Sequence, residues 1–418
     1  MKYCKRCLYP SNHPLNITFD EYGVCSGCRI HEEKDILNWN DRFQKLKSLV
    51  NRYKTKKPRE VHDCIIPVSG GRDSYFIVHV VKNLLGLHPL IVNYNNHYNT
   101  RLGIRNLAYL RTIFGCDIIQ QTISPERVKR ITIESIKRAG SIYWHCLAGT
   151  TVLPVQISVK YKIPLIIWGA HQGCDQVGMF SHLDEVEMTR KYRKEHDLMG
   201  IEAQDLAKGS NIINNDDVEP YLYPHDKELE MVGVRGIYLS NYIRWDSKAQ
   251  HENMINHYNY ETAMQQRTFD NYNHVDCFHY TGLHDYIKFL KYGYGKVTDH
   301  ACREIRLKRM TREEGISLVK DYINVKPWDN QLFLDWLGKD INFLYRNVNK
   351  YRDHKIWKRE DGDWKLKDSV INHVKDKGID AHRLDSESDH LFRIVNEKEK
   401  NIKDNKYILV GRGWVDVS

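Results

Sequence analysis

Runs of apolar residues alternate with helical patterns along most of the chain. Short uninterrupted apolar runs predict buried strands, and they lie at 64–68, 88–94, 117–119, 163–170 and 236–243. Between them, apolar positions repeat with the period of amphipathic helices at 73–85, at 104–113, from 125 onward and at 144–159. Because strands that recur between helices form parallel sheets, the predicted fold class is α/β, with a doubly wound, mainly parallel sheet.

The chain outside this alternation divides into further parts. Residues 175–230 are charged and lose the period, which predicts an insertion that covers the crevice of the sheet. Residues 34–60 carry an amphipathic linking helix, whose predicted apolar face comprises Ile36, Trp39, Phe43, Leu46, Val50 and Tyr53. The run at 407–414 is typical of a strand. The predicted parts are a small lobe at 1–33, the linking helix at 34–60, a sheet domain at 61–310 and a mainly helical region at 311–418.

A glycine turn after the first strand carries the clearest chemical signal. The run Val68-Ser69-Gly70-Gly71-Arg72-Asp73-Ser74 joins that strand to the next helix. At such a junction the unpaired N–H groups of the first helical turn face one point, which suits an anion. Gly70 and Gly71 let the backbone approach the ligand. Ser69 and Ser74 can donate to phosphate oxygens, and Asp73 can hold Mg²⁺.

This turn predicts an ATP site. The spacing differs from the Walker motif, which has four residues between its glycines and a lysine before the Ser or Thr. The pattern S-G-G-x-D-S resembles the PP-loop of the ATP pyrophosphatase superfamily. The resemblance implies a HUP/Rossmann-like fold and cleavage of ATP between its α and β phosphates.

Four cysteines near the start of the chain have the spacing of a zinc site. Cys4, Cys7, Cys25 and Cys28 form the pattern C-x2-C-x17-C-x2-C. Two pairs of thiolates joined by a short stretch provide tetrahedral coordination for Zn²⁺. Since four protein ligands leave no open position, we expect a structural zinc ribbon over residues 1–33.

A second glycine turn lies near residue 295, where Gly293 and Gly295 flank Lys296. A lysine on such a turn can reach a departing pyrophosphate and neutralise its developing charge. Basic residues that could bind phosphate or carboxylate follow at intervals of three, namely Arg303, Arg306 and Arg309. The residues predicted to be catalytic are Asp73, Lys296 and Arg306.

Ligands of open parallel sheets bind at the carboxyl ends of the strands. The predicted ATP site therefore combines the glycine turn with Asn93 and Tyr94 after the second strand and with Gly169 after the fourth. The side chains predicted to contact a second substrate are His171, Arg244, Trp245, Arg303 and Arg309.

The composition of the chain predicts where the protein is located and shows how its charge is distributed. The chain has 418 residues, of which 41% are hydrophobic and 28% charged. No apolar run approaches the ~20 residues needed to cross a bilayer, and the opening MKYCKRC lacks a signal-peptide core, so we expect a cytoplasmic protein. Its ten cysteines are then expected to bind metal, to be buried or to act in catalysis. The net charge of +9 is concentrated in the first 60 residues, which fits RNA, an acidic partner, a nucleotide-linked substrate or a solvated surface.

Together these motifs resemble the N-acetyl sugar amidotransferases of bacterial surface-polysaccharide biosynthesis. Beside the cysteine ribbon and the run from Pro67 to Ser74, the matching runs are Ile237-Tyr238-Leu239-Ser240 before Trp245-Asp246, Tyr292 to Asp299 and Met310 to Gly315. The likeness covers roughly residues 1–345. The later runs are the specific ones, because other families also join a zinc ribbon to a PP-loop.

The resemblance implies conversion of the acetamido group of a nucleotide-linked sugar to an acetamidino group, in lipopolysaccharide, O-antigen or related glycan biosynthesis. The acetamido oxygen would attack the α-phosphorus of ATP and release pyrophosphate, after which ammonia would displace AMP. Adenine would lie near Val92 to Tyr94. Because the chain has no glutaminase motif, the resemblance also implies a separate glutaminase with a synthase-like subunit that supplies the ammonia.

A tRNA thiolase is the alternative, because some thiolases also carry a zinc ribbon before S-G-G-x-D-S. Such enzymes usually need a further cysteine pair. Cys146 has no second cysteine near it in sequence, although Cys174 could meet it across the crevice. Both thiols are otherwise buried packing groups, and His145 and His171 either line the site or pack. A non-catalytic RNA-binding module would leave Asp73 and Lys296 unexplained, so nucleic acid is not the expected partner.

Overall fold

The structure is a computed structural model that describes residues 1–55 and 62–376. The strand-like run at 407–414 lies outside the described residues, as does most of the basic linker at 54–60.

Five strands form one sheet in which every neighbouring pair is parallel. The strands are β1 (Cys64–Pro67), β2 (Pro89–Tyr94), β3 (Ile118–Gln121), β4 (Leu165–Trp168) and β5 (Arg235–Tyr238). Their order across the sheet is β3-β2-β1-β4-β5. Ile65 of β1 is in register with both Leu90 and Ile166, so β1 is the central strand. The predicted doubly wound parallel α/β fold is confirmed.

The strand order reverses at β1. The chain runs outward from β1 to β2 and β3, then returns to the other side of β1 for β4 and β5. In doubly wound sheets such a reversal opens a crevice at the carboxyl ends of the two strands that flank it. The glycine turn follows β1 and Gly169 follows β4, so both open to this crevice.

Helices cover both faces of the sheet. The first six are α1 (Ser26–Ile36), α2 (Trp39–Val50), α3 (Arg72–His79), α4 (Arg101–Phe114), α5 (Pro125–Ala139) and α6 (Trp144–Tyr161). Leu46, Phe76 and Leu110 of α2, α3 and α4 pack in one apolar cluster with Ile66 and Ile91. On the opposite face, α5 and α6 pack against β1, β2 and β4, and the buried residues of that cluster include Val128, Trp144, Val155, Ile65, Val92 and Ile166.

The predicted insertion consists of short helices joined by turns. From Gln172 onward they are α7 (Gln172–Asp175), α8 (Arg190–Tyr192), α9 (Ala203–Ala207), α10 (Asn215–Val218) and α11 (Asp226–Val232), with α12 (Ser247–Tyr258) after β5. Leu206, Val218 and Tyr221 pack into the cluster that contains α6. Most of the insertion therefore packs on helices and does not cover the crevice. The residues from Met188 to Asp197 do border a cavity at the crevice.

The N-terminal lobe and the C-terminal helices share one core. These helices are α13 (Leu283–Tyr292), α14 (Lys296–Arg306), α15 (Arg312–Tyr322), α16 (Asn330–Leu337) and α17 (Ile341–Val348). Leu8 and Val24 are fully buried in the same cluster as Ile305 and Ile316. The Leu8 N–H also donates to the Cys302 Sγ at 3.3 Å. Among all described residues, no helix is both long and apolar enough to span a membrane.

The linking helix differs from its prediction. Ile36, placed on the buried face by its spacing, is 83% exposed. The reason is a break between α1 and α2, where the Asn38 side chain accepts hydrogen bonds from the N–H groups of Asn40 and Asp41 and starts a new helix. Phe43, Leu46 and Val50 of α2 pack on the sheet domain.

Two strand predictions also differ from the structure. The run 236–243 forms a strand only up to Tyr238, because a 3-10 turn at Leu239–Asn241 ends it. The C-terminal region contains an antiparallel hairpin of β6 (Trp357–Glu360) and β7 (Asp363–Leu366). Its two-residue turn, Asp361-Gly362, has φ values of 52° and 87°. Asp-Gly is a strong signal for such turns, so the sequence did carry the evidence for this hairpin.

Candidate active site

Serine side chains hold the glycine turn in shape. The Ser69 N–H donates to the Ser74 Oγ at 2.8 Å, and the Gly71 N–H donates to the Ser69 Oγ at 3.0 Å. A Cβ added to Gly70 would lie 2.2 Å from the carbonyl oxygen of Gly103 in α4, so this position requires glycine. The Ser74 Oγ accepts in this arrangement, which leaves its proton available to a ligand.

Arg72 and Asp73 begin α3 and face the crevice together. The buried Arg72 Nη1 lies 3.0 Å from the Asp73 Oδ1, and its two terminal nitrogens donate to the Ser247 carbonyl and the Asn273 Oδ1, each at 3.1 Å. The Asp73 side chain keeps 41% of its surface open. Crowding by protein atoms raises the pKa of Asp73, and the charge of Arg72 opposes that shift. Asp73 is thus a carboxylate that is held by one arginine and remains accessible from the crevice.

Asp73 opens into a cavity of about 170 Å³, which we call the cationic cavity. Its charged lining residues are Lys34, Arg72, Asp73, Asp175, Lys296, Asp299, Arg303 and Arg306. Five of these are cations and three are anions. The cavity therefore has the excess of positive charge that a polyphosphate requires.

Lys296 occupies an unusual place for a cation. It is the first residue of α14, where the helix dipole disfavours positive charge. Its N–H donates to the Asp285 Oδ1 at 2.6 Å, and its Nζ lies 3.1 Å from the Tyr280 hydroxyl and 3.5 Å from the Asp299 Oδ2. Burial acts to lower the pKa of Lys296, but Tyr280 and Asp299 outweigh it and raise that pKa. The ammonium group therefore stays charged in the cavity that Asp73 also lines.

The three arginines predicted to share a helix face have different partners. Arg303 lines the cationic cavity, and its Nη2 donates to the Asp270 Oδ2 at 2.9 Å. Arg309 lies beyond the end of α14 and pairs with Asp246 at 2.7 Å. Arg306 lines the cavity but extends toward the cysteine cluster, with its Nη2 3.5 Å from the Cys25 Sγ. Arg306 thus connects the predicted zinc site to the cavity wall.

The cysteine cluster fits a structural zinc ion. The Sγ atoms of Cys4, Cys7, Cys25 and Cys28 all lie within 4.8 Å of one another and are buried. The Cys4–Cys28 and Cys7–Cys25 pairs are 4.0 and 3.6 Å apart. A zinc ion with Zn–S bonds of about 2.3 Å needs sulfurs about 3.8 Å apart at tetrahedral angles. N–H groups of Cys7 and Cys25 also donate to the Cys4 Sγ at 3.3 Å, as suits a thiolate.

A second cavity, of about 180 Å³, lies between the glycine turn, the end of β2 and α4. We call it the nucleoside cavity after the adenine that the sequence predicts beside Asn93 and Tyr94, and its lining includes Ser69, Gly70, Asn93, Tyr94 and Asp276. The Asn93 Nδ2 donates to the Val68 carbonyl at 2.8 Å. The structure thus brings the predicted residues of the first and second strand ends to one wall. Gly169 lies apart, against Ile77 and Trp245.

The remaining predicted substrate residues divide between the cationic cavity and the protein interior. Trp245 lines the cationic cavity. Arg244 is buried and pairs with Asp35 at 2.8 Å. The His171 ring packs against Tyr192 and Tyr238, with ring centroids 4.4 and 4.6 Å away. Burial lowers the pKa of His171 to about 4, so this ring is neutral.

The two cysteines considered for sulfur transfer have separate surroundings. The Cys146 Sγ lies 3.4 Å from the Nε2 of His145, and burial raises the pKa of this thiol. Cys174 lies in α7, where burial raises the thiol pKa to about 12. Both thiols are therefore protonated at neutral pH. Burial also lowers the pKa of His145 to about 3.

Sequence reasoning missed the segment that joins these cavities, residues 273–280. His274 and Tyr280 line the cationic cavity, and Asp276 lines the nucleoside cavity. His274 has a φ of 56°, in the left-handed region that non-glycine residues seldom adopt. No strand-end or glycine pattern precedes this segment in the sequence. Only the fold brings it against the glycine turn, where a Cβ added to Gly71 would lie 3.3 Å from the Asp276 Oδ1. At the start of α4, the Asp276 carbonyl accepts from the Thr100 N–H at 3.1 Å.

Part of the chain is similar to a known family model. Residues 266–370 match the model described as LPS biosynthesis protein WbpG-like, C-terminal domain. This span includes Lys296, Arg303 and Arg306, as well as the missed segment around His274. Uncharacterized protein MJ1599 of Methanocaldococcus jannaschii is 26% identical over 118 residues. That match covers 28% of this chain and 41% of the relative, so the chain spans about two fifths of its curated relative.

One solved structure with partial similarity is NMN synthetase from Francisella tularensis. It covers 47% of this chain and 93% of its own, at 15% identity and a TM-score of 0.23. Taken together, residues 266–370, which form one side of the cationic cavity, are similar to the C-terminal domain of a lipopolysaccharide-biosynthesis protein.

Proposed function

We propose that this chain is an ATP-dependent, AMP-forming enzyme that converts the acetamido group of a nucleotide-linked sugar to an acetamidino group. The product would enter lipopolysaccharide or related glycan biosynthesis, and the enzyme would act in the cytoplasm, where ATP is available. The match of residues 266–370 to the WbpG-like domain supports the biosynthetic context.

The observation that carries the proposal is the meeting of Asp73 and Lys296 in one cavity. They come from distant parts of the sequence, yet both line the cationic cavity at the strand-order reversal. A glycine turn that leads into a helix suits phosphate, and a lysine that lines the same cavity suits a departing pyrophosphate.

The chain's own residues would position ATP and neutralise its charge. The nucleoside cavity would hold adenosine, and the first-turn amides of α3 with Ser74 would bind the phosphates. Lys296 and Arg303 would stabilise the negative charge of pyrophosphate as it leaves. Asp73, whose carboxylate is accessible, would hold Mg²⁺, which when bound would supply positive charge to neutralise the phosphates.

The chemistry explains why a polyphosphate site is needed. An acetamido oxygen is a poor leaving group, so it must first bond to the α-phosphorus, with pyrophosphate released. Ammonia then attacks the imidoyl carbon, the C–O bond breaks, AMP leaves, and loss of a proton gives the amidine. This path asks the protein for positioning and charge neutralisation and needs no protein nucleophile.

We further propose that ammonia comes from a separate glutaminase with a synthase-like subunit. A test supplies the partner pair with glutamine at low free ammonia and measures amidine formation. Stimulation would support the proposal, and the absence of any stimulation would contradict it.

The central test measures AMP released from [α-³²P]ATP with ammonium and nucleotide-linked acetamido sugars. We expect Asp73→Asn to lower the rate about 100-fold or more, because a lost charge contact at such a site typically costs that much. Asp216→Asn, on the exposed surface of α10, is the matched control and should keep the wild-type rate. AMP release that depends on unmodified tRNA instead of a sugar would favour the thiolase alternative.

A further inference from the structure

A third cavity, of about 280 Å³, lies beside the glycine turn, and we call it the aromatic cavity. The tyrosine and tryptophan side chains that line it are six: Tyr143, Trp168, Tyr192, Tyr223, Tyr238 and Tyr280. Trp168 and Tyr238 come from the ends of β4 and β5, and Tyr192 belongs to the insertion. The cavity is therefore built from the sheet and from the part of the insertion that faces the crevice.

The aromatic cavity adjoins both other cavities at the glycine turn. It shares Ser69 and Asp276 with the nucleoside cavity, and His274 and Tyr280 with the cationic cavity. An ATP molecule with its base in the nucleoside cavity and its terminal phosphates in the cationic cavity has its α-phosphate at this meeting point. A group entering through the aromatic cavity would reach that phosphate from a direction that neither end of ATP occupies.

The charges of the aromatic cavity do not suit phosphate. Apart from histidine, its charged lining residues are Arg193, Asp197 and Asp276, two anions and one cation. Arg193 is also committed, since its Nη1 pairs with Glu202 at 2.8 Å and its Nε donates to the Thr151 Oγ1 at 2.9 Å. The cavity thus fits a ligand that is neutral and bears hydroxyl groups.

Polar groups remain available around these aromatic walls. Arg193 is only 4% exposed, and among the described residues its Nη2 finds no hydrogen-bond partner. The Trp168 Nε1 is likewise without a partner in the described part of the chain. Asp197 faces the same cavity, and burial raises its pKa to about 7. Buried donors without partners are costly, so a ligand that supplies acceptors would be favoured here.

From these features we infer that the aromatic cavity binds the pyranose ring of the acceptor, with Asp197 accepting hydrogen bonds from its polar groups. The inference rests on the proposed function and names where the sugar lies within that site. Aromatic faces pack well against the apolar C–H face of a pyranose, while a carboxylate accepts from hydroxyl or amide N–H groups. Asp197 is then a specificity-determining contact, separate from the phosphate-binding residues.

The experiment measures sugar binding independently of turnover. UDP-N-acetylglucosamine and UDP-N-acetylgalactosamine are titrated into the full chain by calorimetry, with α,β-methylene-ATP present. We expect Asp197→Asn to weaken sugar binding about 10- to 100-fold, the effect of losing a hydrogen bond to a charged group. Affinity for α,β-methylene-ATP should stay within about twofold, since Asp197 does not line the nucleotide cavities. Asp216→Asn, elsewhere in the insertion, is the matched control.

Each outcome separates this inference from the proposed reaction. If the wild-type chain binds the sugars, Asp197→Asn does not, and no AMP forms with ammonium, the cavity assignment stands and the reaction is wrong. If the wild type forms AMP but Asp197→Asn keeps its sugar affinity and KM, the reaction stands and the assignment is wrong. If Asp197→Asn weakens ATP-analogue binding equally, a general loss of structure overturns the assignment. Failure of the wild type to bind either sugar counts against both.

Discussion

Some residues at this site occupy positions or backbone conformations that their residue type does not favour. A lysine at the first position of a helix opposes the helix dipole, and His274 adopts a left-handed backbone conformation. Such positions persist where the surrounding structure holds them, and they are frequent at binding and catalytic sites. Here Asp285, Asp299 and Tyr280 hold Lys296.

Replacing Lys296 tests the role of its ammonium group. Lys296→Gln should lower the rate of AMP formation about 100-fold, because the ammonium that faces the departing pyrophosphate is lost. The Tm should not fall in proportion, since the replaced charge opposes the dipole of α14. Paired AMP-release and thermal-unfolding measurements check this, with the exposed Lys320→Gln as control. An equal loss of the rate of AMP formation in Lys320→Gln would point to a nonspecific charge effect.

Asp197 predicts a dependence of stability on pH. Its pKa is about 7 in the folded chain, against about 3.9 in an unfolded one. Between these values the folded state holds a proton that the unfolded state has released, so the free energy of unfolding falls as pH rises from about 4 to 7. Asp197→Asn removes this dependence. We expect the difference in Tm, variant minus wild type, to become more positive from pH 5 to pH 8, and an unchanged difference would contradict the raised pKa.

Secondary-structure elements set the geometry that these residues need. The glycine turn approaches α4 so closely that Gly70 nearly touches the Gly103 carbonyl. The approach fixes where the first turn of α3 points. The position of the phosphate-binding amides therefore depends on the contact of the turn with α4 as well as on the turn itself.

Gly70→Ala tests this contact. The added methyl group would lie 2.2 Å from the Gly103 carbonyl oxygen, so the turn or α4 must shift, at a cost of about 1–3 kcal/mol. We expect affinity for α,β-methylene-ATP to fall at least about tenfold while the overall fold, followed by circular dichroism, is retained. Wild-type affinity in this variant would show that the turn tolerates displacement.

The sequence predicted elements well where their pattern was local. The alternation of buried strands and amphipathic helices located all five sheet strands, and the cysteine spacing located the cluster. It missed the end of β5, where Tyr238 leads into a 3-10 turn with no glycine or proline to mark it. It also missed the break between α1 and α2. Asn38 is a capping signal there, but the apolar spacing continues across it.

The residues of the candidate site were most readily predicted where they follow a strand end or a glycine turn. Asp73, Asn93 and Lys296 do so, and they line the cavities. His274 and Asp276 reach the crevice from an irregular segment, and Asp197 from a short π-helical turn at Arg193–Asp197. The path of both segments depends on tertiary packing. The sequence identified Arg306 as a basic residue near the site. Its contact with the cysteine cluster could not be predicted, because it depends on the docking of α14 on the N-terminal lobe.

For the whole molecule, the shared core of the N-terminal lobe and the C-terminal helices predicts coupled stability. Removing zinc with a chelator should expose amides of α14 and α15 to hydrogen exchange, because Leu8, Ile305 and Ile316 pack in one cluster. Amides of β1 to β3 belong to other clusters and should stay protected.

Cys25→Ser should reproduce the effect of the chelator, and Cys116→Ser, outside the cluster, should not. Re-addition of Zn²⁺ after chelation should restore protection. Protection of α14 that is unchanged without zinc would contradict the coupling, whereas a uniform loss over the sheet would indicate global unfolding.

The contact between Leu8 and Cys302 has a consequence for biogenesis. The two residues are 294 positions apart, and the chain emerges from the ribosome at about 5–20 residues per second. The N-terminal lobe is thus translated many seconds before the helices that bury its apolar side. During that interval its apolar surface stays exposed, so nascent chains would depend on early metal binding or on chaperones until α14 and α15 have been synthesised.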